Sequence, residues 1–98
     1  MNTNYRRGVR AEYKAKKLLE STGYTVIRAA GSHGMFDLVA LSRLGGRAIQ
    51  IKTGSARVTP LEREAIKIFR RHSCPDNVTT EVWTWRDRVR EPSIEVVG

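Results

Sequence analysis

Asp37, Gln50 and Lys52 are the residues whose types and spacing carry the most chemistry, and Glu12 joins them from a separate element. Carboxylate oxygens are hard donors suited to divalent cations, and an amide carbonyl adds a neutral oxygen of the same kind. A lysine ammonium beside them can orient a water or offset negative charge. Twelve residues lie between Asp37 and Gln50, and one between Gln50 and Lys52. If Gly45-Gly46 is a two-residue hairpin tip, Val39 faces Lys52 and Leu41 faces Gln50. That register sets Asp37, Gln50 and Lys52 on one face of the hairpin. Phe36, Leu38, Ala40, Ile49 and Ile51 fall on the other, an apolar set suited to packing under a helix. On a helical wheel Glu12 falls between Leu19 and Tyr5, inside an apolar arc, and an inward carboxylate requires a partner. Two partners compete: Lys16 one turn later, as a structural ion pair, or a divalent cation shared with Asp37. Asp37 and Lys52 also have plain structural readings, as a cap on the preceding loop and as an edge-strand charge. Their joint arrangement is what favours a site.

The elements that must position these residues are legible from periodicity and punctuation. A helix is expected from about Asn4 to Ser21, stopping before Gly23, which suits a left-handed C-terminal turn. Tyr24–Arg28 reads as a strand, Ala29–Gly34 as a turn, Phe36–Leu41 as a second strand and Arg47–Lys52 as its return. Thr59-Pro60-Leu61-Glu62 combines an N-cap, a proline at the first helical position and a capping-box glutamate, starting a helix that reaches His72. Ser73–Asn77 breaks it, Thr79–Trp85 is a strand, and Ser93–Val97 a last one. The order predicts an α/β fold of the α+β mixed-sheet kind, a central sheet flanked by helices, in one domain spanning residues 1–98.

The chain has 98 residues, 18 Lys+Arg against 10 Asp+Glu for a formal charge of +8, and a 40% hydrophobic composition. That length supports a single core. The charge favours a polyanionic partner, with nucleic acid the commonest. Arg6, Arg7, Arg10, Lys14 and Lys17 gather on one arc of the first helix, a cationic ridge able to track a phosphate backbone. No run is long and apolar enough to span a bilayer, and the first residues lack the apolar stretch of a signal peptide, which predicts a cytoplasmic, DNA-associated protein. The lone Cys74 excludes an intrachain disulfide, and His33 and His72 stand far apart, so structural zinc is not expected.

Asp37, the twelve-residue interval and Gln50-Ile51-Lys52 on a returning strand resemble the PD-(D/E)XK nuclease motif. With Arg7-Gly8-Val9-Arg10-Ala11-Glu12, Gly23–Ala30 and Gly31-Ser32 ahead of them, the sequence is most similar to archaeal Holliday-junction resolvases of the Hjc-like type, over about Tyr5 to His72. The resemblance implies a restriction-endonuclease-like core and a magnesium-dependent phosphodiesterase, with manganese as a substitute, acting on four-way DNA junctions as a homodimer. It implies that Glu12, Asp37 and Gln50, with the main-chain carbonyl of Ile51, bind the metal. Lys52 would orient or help deprotonate the attacking water. Ser32 matches a loop serine near the scissile backbone, and Arg7, Arg10 and Arg28 would hold DNA. Arg6, Lys14 and His33 extend that DNA-binding set.

Two positions depart from the motif: Gln50 replaces its second acid, and Phe36 replaces the proline before the aspartate. The glutamine keeps two other readings open, a restriction-like nuclease of the same superfamily with another DNA substrate and a DNA-binding module without catalysis. Trp83 and Trp85 alternate on one strand face, where they would stack on bases, pack in the core or form a dimer seam.

Overall fold

Ala11, Ala15 and Leu19 recur every four residues along helix α1 (Thr3–Ser21) and are its buried stripe, at 4, 0 and 1% exposure. The stripe is narrower than the apolar arc of the wheel, since Tyr13 and Leu18 remain in solvent. The helix closes on Gly23 at φ 97°, whose N–H reaches the Glu20 carbonyl while that of Tyr24 reaches Leu19, as the left-handed turn expected there requires. The computed structural model describes residues 3–29 and 34–98. After α1 come β1 (Thr25–Arg28), β2 (Leu38–Ser42), β3 (Gly45–Thr53), α2 (Pro60–His72), β4 (Val78–Trp85) and β5 (Ser93–Val96). The strands form one sheet in the order β1-β2-β3-β4-β5. All neighbours are antiparallel except β3 and β4, which run parallel because α2 carries the chain across between them. This is the mixed, helix-flanked sheet that the element order implied.

The hairpin tip lies elsewhere than expected. Ser42 pairs with Gly45 and Val39 with Ala48, so the turn is Arg43-Leu44 and the register is displaced by four residues from one closed at Gly45-Gly46. The Ser42 hydroxyl supports this turn, accepting from Leu44 N–H at 3.3 Å and donating to the Gly45 carbonyl at 3.1 Å. The glycines serve a close approach instead: a Cβ on Gly45 would stand 2.1 Å from the Asn77 carbonyl oxygen. That same oxygen accepts the Gly46 N–H at 3.0 Å. A displacement of four is even, so the alternation of faces survives it.

Leu38, Ala40, Ile49, Trp83 and Trp85 pack with Val26 and Ile51 against α1. On the other face Ile66 of α2 packs with Val82 and Val97. Each large buried aliphatic contributes roughly 1.5–3 kcal/mol. Phe36 departs from expectation: it joins the α2 side, edge-on to Phe69 with ring centroids 5.4 Å apart. Pairing begins at Leu38, so Phe36 sits in the bend before the strand, where strand alternation no longer dictates direction. Both tryptophans are core residues, at 3 and 7% exposure. Trp83 also donates from Nε1 to Glu81 at 2.8 Å. Glu81 is 2% exposed and takes a two-pronged bond from Arg47, 2.8 Å at each oxygen, with a further bond from the Thr79 hydroxyl. Burial alone would raise its pKa, but these donors outweigh it and hold the carboxyl below its ordinary value. No described helix is long and apolar enough to cross a membrane.

Candidate active site

Strand β3 outruns β2. The last β2–β3 pair is Leu38 with Ile49, yet β3 continues alongside β4 to Thr53. Asp37 closes the gap. Its N–H donates to the Ile49 carbonyl at 2.8 Å and its own carbonyl accepts from Ala29 N–H at 2.9 Å, so its backbone is fixed from both sides. Its side chain then takes the place of the missing strand, Oδ2 accepting the Ile51 N–H at 2.7 Å. A carboxylate held this way has one oxygen committed to the fold and one available for chemistry.

Because parity survived the register displacement, Gln50 and Lys52 both point to the α2 side, as the sequence implied. What meets them there was not foreseen. Glu62 at the start of α2 accepts from Lys52 Nζ at 2.9 and 3.1 Å and from Gln50 Nε2 at 3.2 Å. It also takes the Thr59 N–H at 2.8 Å, completing the capping box. The Thr-x-x-Glu pattern announced that cap, but its second role appears only when the crossover lays the head of α2 over the end of β3. The bond from Thr59 N–H, aided by Lys52, holds the Glu62 carboxyl below its ordinary pKa. A carboxylate only accepts, so it selects the amino end of the Gln50 amide. The other end, Oε1, is buried and has no hydrogen-bond partner among the described residues.

Glu12 comes in from α1, with its side chain 14% exposed, and accepts from Arg28 Nε at 2.7 Å. Lys16 is not its partner, being paired instead with Glu20 at 3.0 Å. An inward residue sees the sheet beneath the helix, and there β1 presents Arg28; the i,i+4 neighbour lies on the outer flank. Burial raises the pKa of Glu12 against the pull of Arg28, and the charge of Asp37 raises it further. Asp37 is likewise raised, by burial first, with the Ile51 N–H and Lys52 opposing. Two carboxyls that burial and a negative neighbour, Asp37 for Glu12 and Glu62 for Asp37, make reluctant to ionise form a place where a cation is favourable.

Among the described residues no three His, Cys, Asp or Glu side chains gather as a ready-made ligand set. A metal at this end of β3 would have mixed donors to draw on: two carboxylates, Gln50 Oε1 and main-chain oxygen. This all-oxygen, partly neutral set fits a hard divalent cation that keeps several waters, and the orphaned buried acceptor is what such an ion would satisfy.

Of the residues expected to meet DNA, Arg6, Arg7, Arg10 and Lys14 are exposed on α1. Arg7 lies 3.7 Å from Asp87, and Lys14 sits over the Trp85 ring at 5.6 Å. Arg28 is engaged with Glu12 and stacks on Tyr13, so it is tied to the carboxylates rather than free. Ser32 and His33 lie outside the described residues.

The fold resembles that of a solved structure of Hjc, a Holliday junction resolvase from the archaeal hyperthermophile Archaeoglobus fulgidus, with a TM-score of 0.68 at 22% identity, covering 93% of this chain and 71% of that one. The family model "Archaeal holliday junction resolvase (hjc)" matches residues 3–74, from α1 through the end of α2. That segment holds Glu12, Asp37, Gln50 and Lys52, and by it the chain belongs to the archaeal Holliday junction resolvase family.

Proposed function

We propose that this protein, a Holliday-junction-resolving endonuclease by family, cuts DNA at the notch between β2 and β3, with Mg²⁺ as its cation and Mn²⁺ as a substitute. Glu12, Asp37, Gln50 Oε1 and the Ile51 carbonyl would hold the ion. When bound, it supplies charge stabilisation at the phosphate and a water of lowered pKa. The observations that carry this reading are the buried Gln50 Oε1, without a hydrogen-bond partner among the described residues, and an Asp37 carboxylate fixed by the N–H of Ile51, the next residue along β3.

The chain's own groups divide the remaining work. Lys52 brings an ammonium to the scissile phosphate, where it offsets developing charge and orients the attacking water. Glu62 is a positioning residue: it holds that ammonium at hydrogen-bonding distance and fixes which end of Gln50 is left over. Arg28 balances Glu12 and keeps its carboxylate aimed at the sheet. Arg6, Arg7, Arg10 and Lys14 take backbone phosphates along α1, and Ser32 and His33 act from the segment before Asp37. No covalent intermediate is needed.

Resolution by paired nicks needs two such sites, so the working unit is a homodimer. The exposed apolar side chains of edge strand β5, Ile94 at 48% and Val96 at 63%, support an interface there. The test is single-turnover cleavage of a synthetic four-way junction with Mg²⁺ by the wild-type protein and Asp37→Asn. The variant should bind the junction as the wild type does and cut it at least roughly 1000-fold more slowly. A variant that still cuts at the wild-type rate removes Asp37 from the site.

A further inference from the structure

A concentration of positive charge lies at the end of β3, on the α1 side of the sheet. A cleft of about 380 Å³ opens between α1 and the β4–β5 connection, lined by Arg7, Arg10 and Lys14 from the helix and by Arg86, Arg88 and Arg90 from the connection. Its one carboxylate among the described residues, Asp87, is 3.7 Å from Arg7 and largely in solvent. Six cations converging on one concavity repel each other, and apart from the Arg7–Asp87 pair and Lys14 over the Trp85 ring the described residues offer them little in return. Arg86 is a further exception, since its guanidinium donates to the Gly54 and Ala56 carbonyls at 2.6 and 3.1 Å and so ties the connection to the end of β3. Arg88 is held at φ 66°, a left-handed backbone that an arginine seldom adopts. Trp85, part of the cleft wall, has a buried indole N–H with no hydrogen-bond partner among the described residues.

Thr53 and Gly54 also line the cleft and follow Lys52 directly along the chain. Two residues of extended chain span roughly 7 Å, so the cleft begins about that far along the backbone from Lys52, on the α1 side of the end of β3, while the Lys52 ammonium lies on the α2 side. One wall lies beyond the segment that matches the resolvase family, which ends at residue 74. We propose that this cleft is a second phosphate-binding subsite, taking backbone phosphates of the DNA strand just beyond the bond that is cut, with Arg88 and Arg90 as its specific contacts. The inference rests on the reading of the protein as a DNA-cutting enzyme and adds to the α1 ridge a grip from the β4–β5 connection.

The test measures junction binding by fluorescence anisotropy in chelator across a salt series, for the wild type, Arg88→Gly/Arg90→Gln and Arg43→Gln/Arg71→Gln. Both doubles remove the same charge, but Arg43 and Arg71 are exposed and lie outside the cleft. Glycine suits the left-handed backbone at Arg88, and matched thermal unfolding curves establish that the fold is kept. Each lost phosphate contact lowers the salt slope by about 0.9, so the cleft double should flatten it by roughly 2 and weaken binding about 10- to 60-fold at 0.1 M salt. The control double should stay near the wild type. Equal losses in the two doubles, or no loss in the cleft double, overturn the subsite. Cleavage with Mg²⁺ by the same wild-type preparation separates the two readings: binding that responds to Arg88 and Arg90 without any cutting leaves the subsite standing and removes the nuclease.

Discussion

Replacing Gln50 by glutamate restores the acid that the nuclease motif normally carries, and the structure predicts opposite effects with and without metal. In the free protein the Gln50 amide donates to Glu62 at 3.2 Å. Glutamate loses that charge-assisted bond, worth about 1.5–3 kcal/mol, and sets two carboxylates against each other. At such a distance their gross repulsion is about 5 kcal/mol at an effective dielectric of 20, relieved by Lys52 between them and by rotation of the new side chain. A net loss of roughly 2 kcal/mol is expected in chelator, which lowers the Tm of a domain this size by about 10 °C. With a cation present the sign reverses, because the new charge faces the ion. Affinity for Mn²⁺ should tighten at least tenfold, or about 1.4 kcal/mol. Thermal unfolding across a Mn²⁺ titration reads both quantities in one experiment. A Gln50→Glu protein that is as stable as the wild type in chelator, or that binds Mn²⁺ no better, refutes the orientation assigned to this amide.

Glu62→Gln keeps an oxygen for the Thr59 N–H but releases Lys52. Stability should fall by only about 1 kcal/mol, since the pair is partly exposed, while single-turnover cleavage drops tenfold or more and Glu62→Asp recovers part of it; a rate unchanged by Glu62→Gln removes its positioning role. Glu81→Gln should destabilise the fold by roughly 2 kcal/mol, measured by urea unfolding, because it strands the Arg47 guanidinium, yet leave Mn²⁺ affinity unaltered. The raised pKa values of Glu12 and Asp37 set a pH signature. Between the ordinary carboxylate range and those raised values the folded state binds more protons than the unfolded one, so their contribution to metal-free stability falls as pH rises. Glu62, lowered, runs the other way, contributing above the ordinary range and losing that contribution as pH falls through its folded value. The Mg²⁺-induced gain in Tm should therefore grow with pH across the raised window and vanish on acidification. A gain that stays constant there excludes Glu12 and Asp37 as ligands.

The strand pair and the capped second helix were readable because each rests on a local rule. Thr59, Pro60 and Glu62 start α2 where the capping pattern places it, and alternation sends Gln50 and Lys52 to one side of β3 whichever turn closes the hairpin. The turn itself was misplaced because two adjacent glycines signal conformational freedom without saying what uses it. Here the user is the Asn77 backbone, which approaches from more than thirty residues away. Phe36 was assigned to the wrong layer for a related reason: alternation holds only inside a paired strand, and pairing begins two residues later. Glu12 was visible as an acid out of place, but its partner Arg28 lies on another element, and helix spacing could offer only Lys16. Glu62 was the largest omission, since a capping glutamate is a complete explanation until the crossover shows what lies beneath it.

The central claim meets its most direct test in a cleavage assay on a synthetic four-way junction and its separate linear arms, with Mg²⁺, with Mn²⁺ and with chelator. The structure predicts paired, symmetric nicks in the junction with either metal, none in chelator and little cutting of the arms. Equal cutting of junction and arms, or tight junction binding with no cutting in either metal, would contradict it.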